Sequence, residues 1–63
     1  MCQMSVILTD EKGETLIMKD AAELKVIAGG VQVNRMFERP KEIKEVKITS
    51  IDFLDGKVYL APA

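Results

Sequence analysis

Residues 48–60, "ITSIDFLDGKVYL", decide the fold predicted for this chain. Asp55-Gly56 is the sharpest turn signal in the sequence, because Asp-Gly between alternating apolar runs favours a type I′ hairpin turn. Beyond it, Lys57 to Ala61 alternates again, and this pattern points Val58 and Leu60 into the core. The stretch therefore predicts an antiparallel hairpin that ends in the last strand of the domain.

The strand before this turn, Glu42 to Phe53, has an irregular apolar spacing. The step from Ile48 to Ile51 is odd, and an odd step moves the buried side chains to the other face of a sheet. A β-bulge near Thr49 and Ser50 would absorb the extra residue and bend the strand. We therefore predict one long, bent strand in this region.

Four further strands are predicted upstream from period-two apolar alternation and turn residues: Met4–Thr9, Glu14–Met18, Leu24–Ala28 and Val31–Met36. A tight polar loop ending at Gly13 joins the first two, and Gly29-Gly30 favours a two-residue hairpin with positive φ at both glycines. Residues 19–25 could instead form one helical turn, although no stretch sustains a 3.6-residue period. Pro40 cannot donate a ladder hydrogen bond and marks a loop or a sheet edge.

These elements predict an all-β fold: a small antiparallel SH3-like or Sm-like barrel of about six short strands, closed or nearly closed, with residues 1–63 as a single domain. A chain of 63 residues buries only roughly 60% of its unfolded surface, so self-association is the expected support. The predicted core consists of the inward-facing apolar residues Val6, Leu8, Leu16, Met18, Leu24, Val26, Val31, Val33, Val46, Ile48, Ile51, Phe53, Val58 and Leu60.

The composition argues against several functional classes. Nine Lys and Arg residues face ten Asp and Glu residues, so no overall charge steers the chain toward nucleic acid or an anionic membrane. No apolar run approaches the ~18 residues of a membrane span, and no signal peptide is recognisable, so we expect a cytoplasmic protein without a membrane partner. Histidine is absent, and the carboxylates lie at turns or alternate with Lys. We therefore expect no catalysis.

A basic strip offers one alternative function, that of an Sm-like RNA-binding module. Phe37 could stack on a base, and the neighbouring cations could contact phosphates; the candidate residues are Arg35, Phe37, Arg39, Lys41, Lys44 and Lys47. Three glutamates interleave with these cations, and RNA-binding barrels usually present more than one exposed aromatic residue. RNA is therefore the weaker expectation.

Cys2 is the only cysteine of the chain and the residue of greatest chemical interest. It could be a small apolar residue that covers the first strand. In a C2 dimer whose N-termini meet near the axis, however, one thiol per chain becomes a pair of thiolates that share one ion. Backbone nitrogens of Cys2 and Gln3 lie within chelating reach of that sulfur. Sulfur and nitrogen donors in a plane favour Ni(II), whereas tetrahedral thiolate sites favour Zn(II), so we expect Ni(II) with Zn(II) as the competitor.

The opening Met1-Cys2 and the segments "SVILTD", "LIMKDA", "LKVIAGGVQV" and "ITSIDFLDGKVYL" downstream of it resemble the CooT family over nearly the whole chain. This resemblance implies a small accessory protein for nickel delivery to carbon monoxide dehydrogenase. It also implies a homodimer of small β-barrels with one nickel ion per dimer, bound at the interface through the cysteine at position two, which is Cys2 here. Some members of the family are described as predicted RNA-binding proteins.

Overall fold

The computed structural model describes residues 3–63 and contains seven strands in two sheets, with no helix among these residues. The strands are β1 (Met4–Asp10), β2 (Gly13–Ala21), β3 (Glu23–Ile27), β4 (Gly30–Asn34), β5 (Lys41–Lys44), β6 (Val46–Asp52) and β7 (Lys57–Pro62). One sheet has the order β2-β1-β7-β6, and the other has the order β3-β4-β5. The predicted all-β class is confirmed, and residues 19–25 form no helical turn. Residues 3–63 also contain no helix that could cross a bilayer.

The predicted antiparallel barrel needs two corrections. The sheets do not join into a closed barrel, and the two central strands of the larger sheet run parallel. Val6 of β1 lies beside Val58 of β7, and Leu8 lies beside Leu60. Turn signals could not reveal this pairing, because it joins the first and last strands of the chain. It depends on how the five strands between them fold.

The bulge predicted near Thr49 and Ser50 is confirmed. Ile48 of β6 lies opposite Leu60 of β7, but Ser50 lies opposite Tyr59, so Thr49 is the extra residue. The Thr49 hydroxyl Oγ1 donates a 3.2 Å hydrogen bond to the Tyr59 carbonyl. Beyond the bulge Ile51 lies opposite Val58, so Ile48 and Ile51 both pair with core residues of β7 despite their odd spacing.

The prediction of one strand through Glu42–Phe53 is wrong, because Glu45 divides this segment between the two sheets. Glu45 has a left-handed φ of 59°. Its amide donates a 2.6 Å hydrogen bond to the Gly29 carbonyl, and its own carbonyl accepts a 2.9 Å bond from the Ala63 amide. The residue therefore forms the corner where the chain leaves β5 and enters β6.

Both predicted two-residue turns differ in detail. In the β3–β4 hairpin the turn residues are Ala28 and Gly29, and only Gly29 has a positive φ, of 78°. Gly30 begins β4 instead, where a Cβ atom would overlap the backbone carbonyl oxygen of Ile43 on the neighbouring strand. Gly30 is thus required by close approach of β5 and not by turn conformation.

The second turn, between β6 and β7, is a four-residue loop, Phe53–Gly56, and not a type I′ turn. Only Gly56 has a positive φ there, of 67°, whereas a type I′ turn needs one at both central residues. The Asp55 amide donates a 2.9 Å hydrogen bond to the Asp52 carboxylate, which closes the loop from within. The longer loop follows from this local bond, which competes with the tighter turn.

The core lies between the two sheets and contains half of the predicted residues in buried positions: Val6, Met18, Val31, Val33, Val46, Val58 and Leu60. Leu8, Leu24 and Ile48 pack against it and are half-buried. Ile7 and Ala21 are buried as well, although the pattern did not select them.

Four predicted core residues, Leu16, Val26, Ile51 and Phe53, are exposed. A register shift between β1 and β2 pairs Leu16 with Ile7 and so turns it to the outer face. Val26 and Ile51 lie on edge strands, where no further strand covers them. Phe53 belongs to the β6–β7 loop. Alternation identifies a face of a strand, but it cannot show whether another layer covers that face.

Candidate functional site

One end of the larger sheet gathers the start of β1 and the loop between β6 and β7. Ser5 of β1 lies opposite Lys57 of β7, which in turn lies opposite Asp52 of β6. On the other side of β1, Met4 lies opposite Ala21 at the end of β2. We call this edge the N-terminal end of the sheet.

The chain is fixed in position as it enters this end. The Ser5 amide donates a 2.8 Å hydrogen bond to the Gly56 carbonyl. A Cβ atom on Gly56 would lie 3.3 Å from the carbonyl oxygen of Gln3, so the Gln3 backbone rests against the β6–β7 loop. Gln3, the second predicted metal-site residue, is exposed here. Cys2, the first, lies outside the described residues, so its role stays a prediction.

Exposed apolar side chains border the same place. Phe53 and Leu54 in the β6–β7 loop are 80% and 97% exposed, and Ile51 is exposed on the adjoining edge strand. We call these three residues the apolar tip. Loop tips are normally polar, and exposed apolar residues gathered at one place are typical of an interaction surface. Sequence reasoning missed Leu54, although an apolar pair ahead of Asp-Gly was a signal for it.

One carboxylate beside the loop is used within the fold. Asp52 accepts the hydrogen bond from the Asp55 amide, and so it supports the loop. Among residues 3–63, no three acidic side chains come together in a way that could hold a metal ion, and no other metal-ligating side chain of the Cys or His type is available there.

The candidate RNA-binding residues are only partly brought together. Arg35, Phe37, Arg39 and Lys41 follow one another between the end of β4 and the start of β5. Lys44 is paired with Glu42 at 3.3 Å, and Lys47 lies on β6 in the other sheet. The six residues therefore do not form one continuous strip.

A groove of about 460 Å³ opens at the opposite end of the larger sheet, where β6 begins. Its lining is mainly apolar and includes Val26, Val31, Val46 and Ile48, with Lys47 as the one predicted site residue on its wall. No other residue from the metal or RNA predictions lines it, so this groove lies apart from both candidate sites.

A protein-family model described as CO dehydrogenase accessory protein CooT matches residues 1–61. This chain belongs to the CooT family. No curated protein matches it. The crystal structure assigned to CooT from Carboxydothermus hydrogenoformans matches with a TM-score of 0.85 over 98% of each chain, at 21% sequence identity. At that identity the match establishes the shared fold.

Membership of the CooT family makes this protein an accessory factor of CO dehydrogenase and not a catalyst in its own right. The matched region of this CooT protein includes Cys2 and Gln3 at one end and the loop Phe53–Gly56 at the other. The two segments are distant in sequence, but the described structure places Gln3 directly against Gly56.

Proposed function

We propose that this CooT protein carries nickel for the maturation of CO dehydrogenase and holds the ion between two copies of the chain through their Cys2 thiolates. The family supports the maturation role. The observation that carries the finer proposal is the contact between the Gln3 backbone and Gly56, which fixes the chain one residue after Cys2 beside the exposed apolar tip.

The chemistry of the sequence supports a shared site. One cysteine and no histidine provide a single thiolate and no imidazole per chain, which is too few for a four-coordinate site built from such ligands. Two chains related by a two-fold axis provide two sulfurs, and backbone nitrogens of Cys2 and Gln3 complete a set of the kind that Ni(II) prefers in a plane. Zn(II) would compete for the thiolates, with tetrahedral geometry. Nickel is here the cargo of the protein.

The apolar tip supplies a surface on which the two copies can meet. The exposed side chains of Phe53 and Leu54 would be stabilised by burial, because removal of apolar surface from water contributes about 25 cal/mol per Å² to the free energy of association. In a two-fold interface the same patch meets itself, so the tip of one copy would cover the tip of the other. Because Gln3 rests against this loop, such a contact brings both chain starts to the axis.

Native mass spectrometry of the protein titrated with nickel tests this proposal. We expect a dimer that holds one nickel ion per two chains and a thiolate-to-nickel absorption band. Cys2→Ser should lose both the ion and the band. Gln3→Ala is the matched control, because it keeps the backbone nitrogen and should keep the nickel. One ion per chain, or full nickel affinity in Cys2→Ser, would contradict the shared site.

Transfer of nickel is tested separately. Nickel-free CO dehydrogenase incubated with the nickel-loaded protein should gain activity faster than with the same concentration of free nickel plus a chelator that matches the protein's affinity. Equal rates in the two reactions would show that the protein stores nickel and does not deliver it to the enzyme.

A further inference from the structure

The turn that follows β4 holds an aromatic side chain in an unfavourable backbone conformation. The Glu38 amide donates a 3.2 Å hydrogen bond to the Arg35 carbonyl, and Phe37, the third residue of this turn, has a φ of 65°. Glycine or asparagine normally occupies such a position, and a bulky residue there is strained. The Phe37 side chain is nevertheless 98% exposed and gains nothing from the core.

Arg35 holds this turn in place. Its Nε atom donates a 2.8 Å hydrogen bond to the Lys19 carbonyl on β2, and its Nη1 atom lies 3.4 Å from the Glu38 carboxylate. The Asn34 side chain adds a 3.3 Å hydrogen bond to the Arg35 carbonyl. The turn therefore presents Phe37 in a fixed position, which lowers the entropy that a binding partner would have to remove.

The charge around Phe37 indicates what kind of surface it fits. Residues 35–41 carry three cations, Arg35, Arg39 and Lys41, and one carboxylate, Glu38. Within residues 3–63, the ion pairs are Arg35–Glu38 and Lys44–Glu42, so Arg39 and Lys41 stay uncompensated in the described structure. An apolar projection followed by two free cations is complementary to an apolar pocket with an acidic rim.

From these observations we infer that residues 35–41 are a docking element that inserts Phe37 into an apolar pocket, bordered by carboxylates, on a partner protein. A second copy of the chain fits this element poorly, because a two-fold contact would bring Arg39 and Lys41 near their own symmetry mates. Nucleic acid also fits less well. The Arg35 guanidinium already contacts the Lys19 carbonyl and the Glu38 carboxylate, and Phe37 is the one aromatic residue among residues 35–41 that could stack on a base. This inference rests on the proposed function in one respect: CO dehydrogenase is the partner to test.

Binding of the nickel-free enzyme to the immobilised protein provides the test. Phe37→Ala should weaken binding about tenfold or more, as expected for an aromatic anchor at the centre of an interface. Phe37→Gly should weaken it equally while the free energy of unfolding stays the same or rises, because glycine relieves the left-handed strain. Leu16→Ala, which truncates an exposed apolar residue on β2, is the matched control and should bind as the unaltered protein does.

The charge of the loop is tested by Arg39→Glu and Lys41→Glu, each of which should slow association and reduce its salt dependence. Unchanged enzyme binding by Phe37→Ala, or absence of binding by the unaltered protein, would overturn the inference. Weaker dimerisation in Phe37→Ala would overturn it in favour of a second copy. Tight, salt-sensitive binding of single-stranded RNA that needs Phe37 would overturn it in favour of nucleic acid. Nickel titration without the enzyme keeps failure of the metal site distinguishable, because Phe37 variants should retain one nickel per dimer.

Discussion

The Ser5 amide donates a 2.8 Å hydrogen bond to the Gly56 carbonyl. This bond joins the start of β1 to the loop between β6 and β7. The parallel pairing of β1 with β7 continues from this point through Leu8 and Leu60. Gln3 and Met4, which lead into Ser5, therefore lie at the end of the central pair of strands in the larger sheet.

Gly56→Ala should disturb the chain start, whereas Gly29→Ala should not. Both glycines have a positive φ, so each alanine should cost about 1 kcal/mol of the free energy of unfolding. Only at Gly56 would the new Cβ atom press on the Gln3 carbonyl oxygen, since nothing lies within 4 Å of a Cβ atom on Gly29. Urea unfolding should give similar losses, and nickel titration should show weaker binding in Gly56→Ala alone. Equal nickel affinity in the two variants would disconnect the loop from the metal site.

Replacement of the apolar tip should separate the two copies. Leu54→Ser and Phe53→Ser each remove apolar surface that the proposed interface buries, so we expect the dimer dissociation constant to rise at least about tenfold. Val26→Ser is the matched control, because Val26 is also strongly exposed but lies in the other sheet. Sedimentation equilibrium would compare the dimer dissociation constants of the three variants with that of the unaltered protein. A larger effect from Val26→Ser would place the interface elsewhere.

Acidification should release nickel from the protein. A thiolate binds the ion and a thiol does not, so protons compete with the metal for Cys2 and the affinity should fall as the pH falls. The thiolate-to-nickel absorption band, followed during acid titration, should decline in step with bound nickel measured after gel filtration. Circular dichroism over the same range should stay constant, which separates loss of the ligand from loss of the fold. Nickel that stays bound in acid would argue for ligands other than the cysteine.

Local features of the fold were predictable where a residue pattern has one physical consequence. The odd apolar step before Ile51 predicted the bulge at Thr49, because an extra residue is what keeps the apolar residues on both sides of such a step on one face of the strand. Gly13 was expected to take a positive φ and does so, at 119°. Both features depend on only a few neighbouring residues.

Features that depend on distant partners were not predictable in the same way. Glu45 is not a residue type that signals a left-handed corner, and its two backbone hydrogen bonds go to Gly29 and Ala63, which no local window contains. The exposure of Phe53 depends on where β6 ends, because Phe53 lies in the β6–β7 loop and not on the strand. Residue chemistry therefore led to the prediction of a metal site at Cys2 and Gln3, but the apolar tip on the loop that Gln3 contacts became visible only in the folded chain.

Truncation in the core should cost far more than truncation at the surface. Leu60 is fully buried between the sheets, so Leu60→Ala should lower the free energy of unfolding by about 3 kcal/mol, a large share of the total for a domain of this size. Leu16→Ala should change it by less than about 1 kcal/mol, because that side chain is 57% exposed. Urea unfolding at one fixed protein concentration would compare the two variants, since the proposed dimerisation would make stability concentration-dependent. Similar losses would mean that the outer face around Leu16 is covered in solution.

The corner at Glu45 should be improved by glycine and damaged by valine. Glu45 adopts a φ of 59°, where a side chain costs on the order of 1 kcal/mol, and its structural hydrogen bonds come from backbone atoms that any replacement keeps. Glu45→Gly should therefore raise the free energy of unfolding by up to about 1 kcal/mol, reduced by the greater freedom of glycine in the unfolded chain. Glu45→Val should lower it by more than that, because a β-branched side chain is the least tolerated at this φ. Thermal and urea unfolding of both variants would measure the difference, and equal stabilities would show that the chain turns between the sheets without this left-handed residue.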